Sequence, residues 1–339
     1  MTTILCAVAV LLTLGYTTLN GFRDASTAVA AAVRTRALTP GIAVTVAAIF
    51  AFLGTLASSS FGFFLVNRLD VSLPEGNAGL MMLICALLAA SGWGLFCWWR
   101  GMPTSSTHAL LSGIAGATGA AVLLGALPGG SGLDILASGV LLPLVVTPIV
   151  AYLLAYFLVL PATWLIRHET ARNVSARSRA GQALGACAVA LGLGLQDGQR
   201  SGAMLMLVFI TAQSMEPGTT PWALQLTAAA FLAFGVLLGG WRITHTLEHR
   251  LVKIDPLRGM VAQGVAAGLL YVGALLLHLP LSTNQSVTSA IVGAGANQPF
   301  ESVIWRNVMR VVGHWLATPV VCVLGGAVLA LAAYPLTQL

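Results

Sequence analysis

The sequence predicts an all-α polytopic membrane protein built from two inverted halves. Three observations carry this: the composition, the spacing of the apolar stretches and the placement of the arginines. Of 339 residues, 58% are hydrophobic and 8% are charged, against about 25% charged in soluble domains. Mean hydropathy is +0.90. A soluble domain needs far more charge to cover its surface, so soluble enzymes, disordered chains and fibrous chains are excluded. The apolar residues come in long blocks rather than in alternation, which argues against a β-barrel.

A membrane span takes about 20 apolar residues. Apolar stretches run over 2–34, 40–66, 79–99, 103–124, 134–166, 183–214, 221–240, 259–279, 280–297 and 306–336. Two of them are interrupted by polar residues, near 20–27 and 196–201, and two begin at a proline, Pro103 and Pro280. These four are the candidates for broken or re-entrant helices. Residues 2–19 lack a basic segment ahead of them, and the apolar pattern resumes after a short polar break, so they read as the start of the first span rather than a leader.

The arginines give the topology. With one crossing per stretch and the N-terminus outside, the inside segments carry Arg34, Arg36, Arg100, Arg167, Arg172, Arg177, Arg179, Arg242, Arg250, Lys253, Arg258, Arg306 and Arg310. The outside segments carry Arg68 alone. Thirteen against one is a strong positive-inside bias. It divides the chain into a first transmembrane repeat, 1–166, a cytoplasmic linker, 167–182, and a second repeat, 183–339, each crossing an odd number of times. Similar halves are then inverted. The net charge of +6 belongs to cytoplasmic loops facing anionic lipid, so no nucleic-acid partner is expected. The expected location is the cell inner (plasma) membrane. The five cysteines all lie in apolar runs without a CxxC pair and read as small packing residues.

The halves share two polar motifs in the same order. Asn20-Gly21-Phe22-Arg23-Asp24-Ala25-Ser26-Thr27 answers to Gly194-Leu195-Gln196-Asp197-Gly198-Gln199-Arg200. Pro103-Thr104-Ser105-Ser106-Thr107-His108 answers to Pro280-Leu281-Ser282-Thr283-Asn284-Gln285. Asp24 and Pro103 are 79 residues apart, and Asp197 and Pro280 are 83 apart. An internal repeat that concentrates the polar chemistry is the mark of a secondary transporter, whose site lies where the repeats meet.

Each proline motif places Ser and Thr at the start of an apolar helical run. Proline suits a first helical turn, where its missing N–H costs nothing, and Ser or Thr caps it. Free N–H groups and the positive end of the helix dipole then suit a tetrahedral oxyanion held between the two tips. Ser105, Ser106, Thr107, Ser282, Thr283 and Asn284 are the expected substrate ligands. Asp24 and Asp197, with Gln196, are the expected coupling-ion residues, because a carboxylate within a span costs about 2.5–3.5 kcal/mol and repels an anion. Arg23 and Arg200 either contact the anion or form ion pairs. His108 either relays protons or caps and packs. Glycines 113, 116 and 293 are expected to let helices approach closely. Trp93, Trp98 and Trp99 beside Arg100 read as an interfacial aromatic belt. His245 and His249, four apart with Glu248 between them, read as a solvated helix face rather than a metal pair. No GxSxG or HExxH occurs, and Ser106 and His108 at i, i+2 point apart on a helix, so no enzymatic activity is expected.

These motifs resemble those of the inorganic phosphate transporter (PiT) family, as does Gly239-Gly240-Trp241-Arg242 followed by Asp255-Pro256-Leu257-Arg258-Gly259. The resemblance covers most of the chain and keeps motif order. It implies an inverted-repeat fold with two re-entrant hairpins and broken helices. It implies phosphate uptake coupled to sodium or protons by alternating access, no organic cofactor, and a homodimer. Where the family has Asn before each aspartate, this chain has Arg23 and Gln196, and the second tip ends in Asn284-Gln285 instead of Thr-His. A guanidinium beside a cation site opposes sodium and favours protons. Sulfate or another oxyanion is the alternative substrate.

Overall fold

A computed structural model describes residues 1–58, 73–130, 132–215, 221–277, 281–298 and 303–337. Arg68, His278 and Pro280 lie outside the described residues, as do the side chains of Glu248 and His249. The described chain is helical: α1 (Thr2–Arg34), α2 (Pro40–Ser58), α3 (Asn77–Trp99), α4 (Ser106–Leu123), α5 (Leu142–Leu165), α6 (Ala171–Thr211), α7 (Trp222–Leu238), the short α8 (Trp241–Thr246), α9 (Pro256–Tyr271), α10 (Thr283–Ala296) and α11 (Trp305–Thr337). Among the described residues, seven helices are long and apolar enough to cross a membrane. The chain is a multi-pass membrane protein. Of the remaining helices α7, α8 and α10 are shorter; α10, with 14 residues, is about 21 Å long, under the ~30 Å of a hydrocarbon core.

All ten expected stretches contain helix. Their ends are set by local chemistry. Ser105, Thr170, Asp255 and Ser282 cap α4, α6, α9 and α10, each side-chain oxygen accepting a backbone N–H three residues on. Pro256 sits in the first turn of α9. Helix α6 starts at Ala171, so most of the 167–182 segment is its first turns rather than loop.

Two sequence expectations change. The polar interruptions at 20–27 and 196–201 are not breaks: α1 and α6 run helically through both. Each keeps its backbone hydrogen bonds within the helix, as lipid surroundings require, and its polar side chains turn to neighbouring helices instead. Pro103 is not in the first turn of α4. It lies two residues before the Ser105 cap, and its free carbonyl accepts the Trp315 indole N–H at 2.8 Å.

Packing relates the two halves. Helix α1 packs on α7, and α6 on α2; α3 packs on α4, and α9 on α10; α4 packs on α11, and α10 on α5. Exchanging first-half helices for second-half ones leaves this set unchanged. The closest approaches repeat in register. A Cβ on Gly21 would strike the Leu232 carbonyl and one on Gly235 the Thr18 carbonyl, while Gly194 and Gly54 face the Ala51 and Leu191 carbonyls in the same way. Gly116 meets the Val323 backbone and Gly293 that of Tyr152. Backbones this close pack by van der Waals contact, which is what holds helices together where lipid offers no hydrophobic driving force.

Apolar side chains line the outside as well as the core, and the interior also holds polar groups. Large apolar side chains such as Leu123, Leu165 and Leu276 point outward, and the interior holds alanines together with Thr13, Thr17, Asn20, Asp24, Asp197 and Arg200. One apolar cluster takes Ala25 and Ala28 to Ala31 of α1 with Val189, Ala190 and Leu193 of α6. Another takes Ala9 and Tyr16 of α1 with Ala203, Met204, Met206, Leu207 and Val208 of α6. The polar middles of α1 and α6 lie between the two clusters.

Candidate functional site

Helix α1 presents a polar face at i, i+3 and i, i+4 spacing: Thr13, Tyr16, Thr17, Asn20, Asp24 and Thr27, all buried. Tyr16 Oη donates to the Ser106 carbonyl at 2.6 Å and Thr17 Oγ1 to Ser201 Oγ at 2.9 Å. These bonds tie α1 to the start of α4 and to the middle of α6.

Asp24 stands where the two capped tips converge. Asn284 Nδ2, at the start of α10, donates to Asp24 Oδ1 at 2.7 Å. Ser106 Oγ, at the start of α4, donates to Oδ2 at 3.3 Å. Asn284 Nδ2 also donates to the Thr104 carbonyl at 2.6 Å, which joins the tips directly. Thr27 donates to Asn284 Oδ1. One carboxylate thus touches a residue from each half of the chain.

Arg23 lies beside this cluster but spends its charge elsewhere. Its Nη2 donates to Thr104 Oγ1 at 2.6 Å and to the Thr104 carbonyl at 3.1 Å, and the guanidinium packs against Gly94 of α3. Among the described residues neither Arg23 nor Asp24 makes an ion pair, and Arg23 Nε has no hydrogen-bond partner. The second half is arranged differently. Asp197 and Arg200 form a buried ion pair one helical turn apart, and Gln196 Nε2 donates to the Leu270 carbonyl at 3.4 Å beside Gly273.

The expected ligands therefore separate. Ser106, Asn284 and Asp24 come together. Ser105 and Ser282 use their oxygens as helix caps, accepting from His108 N at 3.1 Å and Gln285 N at 3.3 Å. Thr107 and Thr283 hold hydroxyls at the same tips without a hydrogen-bond partner. Asp197 makes no hydrogen bond to either tip and is paired with Arg200. The motif reading passed over Tyr16, Thr17, Thr27, Thr104 and Ser201. Helical spacing on α1 signals the first three, and Thr104 lies inside a quoted motif. Ser201 is the last residue of the polar interruption at 196–201.

Several other buried polar atoms here lack partners: both amide atoms of Asn20, both ring nitrogens of His108, both amide atoms of Gln285, and Ser286 Oγ. Buried polar groups are normally satisfied, so this concentration marks a place built to hold something polar. The buried charges among the described residues are Arg23, Asp24, Asp197 and Arg200, which sum to zero when all are ionised. The arrangement can offer hydroxyl and amide donors to an anion, and one carboxylate, Asp24, to a proton or small cation.

A multi-pass helical fold around a buried, charge-balanced polar site between two capped helix starts defines a membrane carrier. A profile of the phosphate transporter family matches residues 20–326. The chain is 29% identical to the "Probable low-affinity inorganic phosphate transporter" of Bacillus subtilis (strain 168), over 95% of each chain. It is 32% identical to the protein of the same name from Rhizobium meliloti (strain 1021), over 88% of each. Its fold is similar to a solved structure titled "The sodium-dependent phosphate transporter", with a TM-score of 0.70 at 18% identity over 98% of this chain and 99% of that one. The chain belongs to the phosphate transporter family.

Proposed function

We propose that the protein carries inorganic phosphate across the membrane together with a proton, with Asp24 as the coupling group. The observation that carries this is the position of the Asp24 carboxylate at the meeting point of the α4 and α10 starts. An anion entering that space meets a like charge. At 4 Å and an effective dielectric constant near 20, the repulsion is about 4 kcal/mol. Neutralising Asp24 removes it, so the anion and the neutralising cation enter together. The halves, 1–166 and 183–339, are inverted repeats in this reading, supported by the exchange of packing partners between them, and they expose the site to one side at a time.

Thr107, Thr283 and Ser106 supply hydroxyl donors, and Asn284 an amide donor. The uncapped N–H groups at both tips add positive potential. Arg23, held by Thr104 with no carboxylate partner, supplies a fixed positive charge beside Asp24. That charge repels any cation at Asp24; a proton still binds there by forming a covalent O–H bond, whereas sodium must gather several oxygen ligands beside the guanidinium, and this favours proton over sodium coupling. The Asp197–Arg200 pair is neutral and keeps its own counter-charge. The re-entrant hairpins are assigned to α4 and α10, whose starts are capped inside the protein.

Phosphate suits this site better than sulfate. A protonated phosphate donates a hydrogen bond as well as accepting several, and Asp24 is an acceptor within the pocket; sulfate only accepts. Radiolabelled phosphate uptake into proteoliposomes, competed by sulfate, tests the assignment. Phosphate should be taken up, with sulfate competing weakly. Stronger competition by sulfate than by unlabelled phosphate would reject phosphate as the substrate.

A further inference from the structure

A second basic site lies apart from the Asp24 cluster, where α3 ends and α8 begins. A cleft of about 390 Å³ is lined by Trp99, Arg100, Gly101, Trp241, Arg242, His245, Thr246 and Arg250. It holds three guanidinium groups and an imidazole, and no carboxylate lines it among the described residues. Basic groups gathered around one cleft favour an anion there.

The cleft is built rather than accidental. Arg242 stacks over the Trp98 ring at 5.1 Å and donates from Nη1 to the Trp99 carbonyl at 3.3 Å. Arg100 lies over the Phe96 ring, 6.0 Å from its centroid. Stacking on a ring holds a guanidinium plane, and a held plane suits bidentate contact with phosphate oxygens. The floor is Gly101, at φ +69°, where a Cβ would come within 3.2 Å of Thr246 Oγ1 and 3.3 Å of the Arg242 carbonyl. The left-handed backbone favours glycine, and a side chain there would crowd both atoms.

The rim identifies the level of the membrane. Trp99 and Trp241 are 60% and 43% exposed. Exposed tryptophans among arginines at helix ends mark the headgroup layer, and this cluster lies on the face that the positive-inside pattern assigns to the cytoplasm.

We propose that this cleft binds a phosphate group, held by Arg100, Arg242 and Arg250. The group has two sources: the headgroup of an anionic phospholipid, with its chains running up past Trp99 and Trp241, or free inorganic phosphate. Either one clamps α8 to the 99–101 turn. That turn leads directly to Thr104, which holds Arg23 and Asn284, and Gly240, just before α8, accepts the Ser26 hydroxyl two residues past Asp24. The cleft is thus mechanically continuous with the candidate transport site while sharing none of its residues.

The test compares the full-length protein with R100Q/R242Q/R250Q in nanodiscs. In discs of phosphatidylcholine mixed with phosphatidylglycerol, mass spectrometry of the lipid retained on extraction should show phosphatidylglycerol enriched by the wild type, with at least a tenfold loss of that enrichment in the variant. This outcome assigns the headgroup. In discs of phosphatidylcholine alone, equilibrium binding of radiolabelled inorganic phosphate showing a second equivalent in the wild type, absent from the variant, assigns free phosphate. No difference between the proteins in either arm overturns the proposal. Should the triple variant fail to fold, R242Q alone and the charge-conserving R100K/R242K/R250K decide by the same readouts: the first should lose binding and the second keep part of it. Phosphate uptake is measured alongside, so that failure of the transport reading is distinguished from failure of this one.

Discussion

At the residue scale, coupled transport depends on Asp24 and its donors. Asp24→Asn keeps the size and the hydrogen bonding to Ser106 but cannot ionise. It should abolish uptake driven by a pH gradient while leaving phosphate binding within a few-fold of wild type, read by equilibrium binding. Binding lost along with uptake would make Asp24 structural. Arg23→Met removes the charge and keeps most of the volume. It should raise the KM for phosphate at least tenfold, on the scale of one charge-assisted contact, measured as initial uptake rates across phosphate concentrations. An unchanged KM would confine Arg23 to holding Thr104. Thr107 and Thr283, unlike Ser105 and Ser282, have hydroxyls without a partner, so the T107A/T283A pair should weaken phosphate binding more than S105A/S282A does.

At the element scale, the caps and the glycine contacts make separable predictions. Ser105→Ala and Ser282→Ala each remove an N-cap, worth about 1 kcal/mol, and should lower the thermal midpoint by similar amounts. Gly54→Val and Gly235→Val place side-chain atoms into the Leu191 and Thr18 carbonyls. Overpacking costs about 1–3 kcal/mol or more, so both should destabilise comparably, whereas Gly15→Val, with open space around it, should not. Thermal unfolding in detergent reads all of these, and a stable Gly235→Val protein would contradict the reciprocal packing. Much of this level was legible in the sequence. The ten stretches, the Ser caps and the close approaches of Gly113, Gly116 and Gly293 follow from composition and spacing; those of Gly21, Gly54, Gly194 and Gly235 do not, because a lone glycine in an apolar run does not name the helix it will meet. The continuity of α1 and α6 was not legible, because a polar run in an apolar stretch reads the same whether the backbone breaks or its side chains find buried partners. Nor was the asymmetry between the aspartates. Arg23 and Arg200 each sit near an aspartate in sequence, yet only Arg200, one turn from Asp197, closes an ion pair; Arg23 is adjacent to Asp24, points to another face of α1 and reaches Thr104.

At the scale of the whole molecule, the packing exchange between halves brings one tip from each to a single carboxylate. A site made of both halves changes when they move relative to each other, which is what alternating access requires. The Asn284 bonds to Asp24 and Thr104 are the link across the halves, so Asn284→Ala should cut uptake more than any single change confined to one tip. The central claim is that neutralising Asp24 with a proton admits phosphate. The most direct measurement is phosphate uptake into proteoliposomes under a pH gradient without sodium, and under a sodium gradient without a pH difference, for the wild type and Asp24→Asn. The wild type should take up phosphate under the pH gradient alone, faster as the external pH falls, and not under sodium alone, and Asp24→Asn should show no gradient-driven uptake. Wild-type uptake driven by sodium alone, or pH-driven uptake that survives in Asp24→Asn, would contradict proton coupling at Asp24.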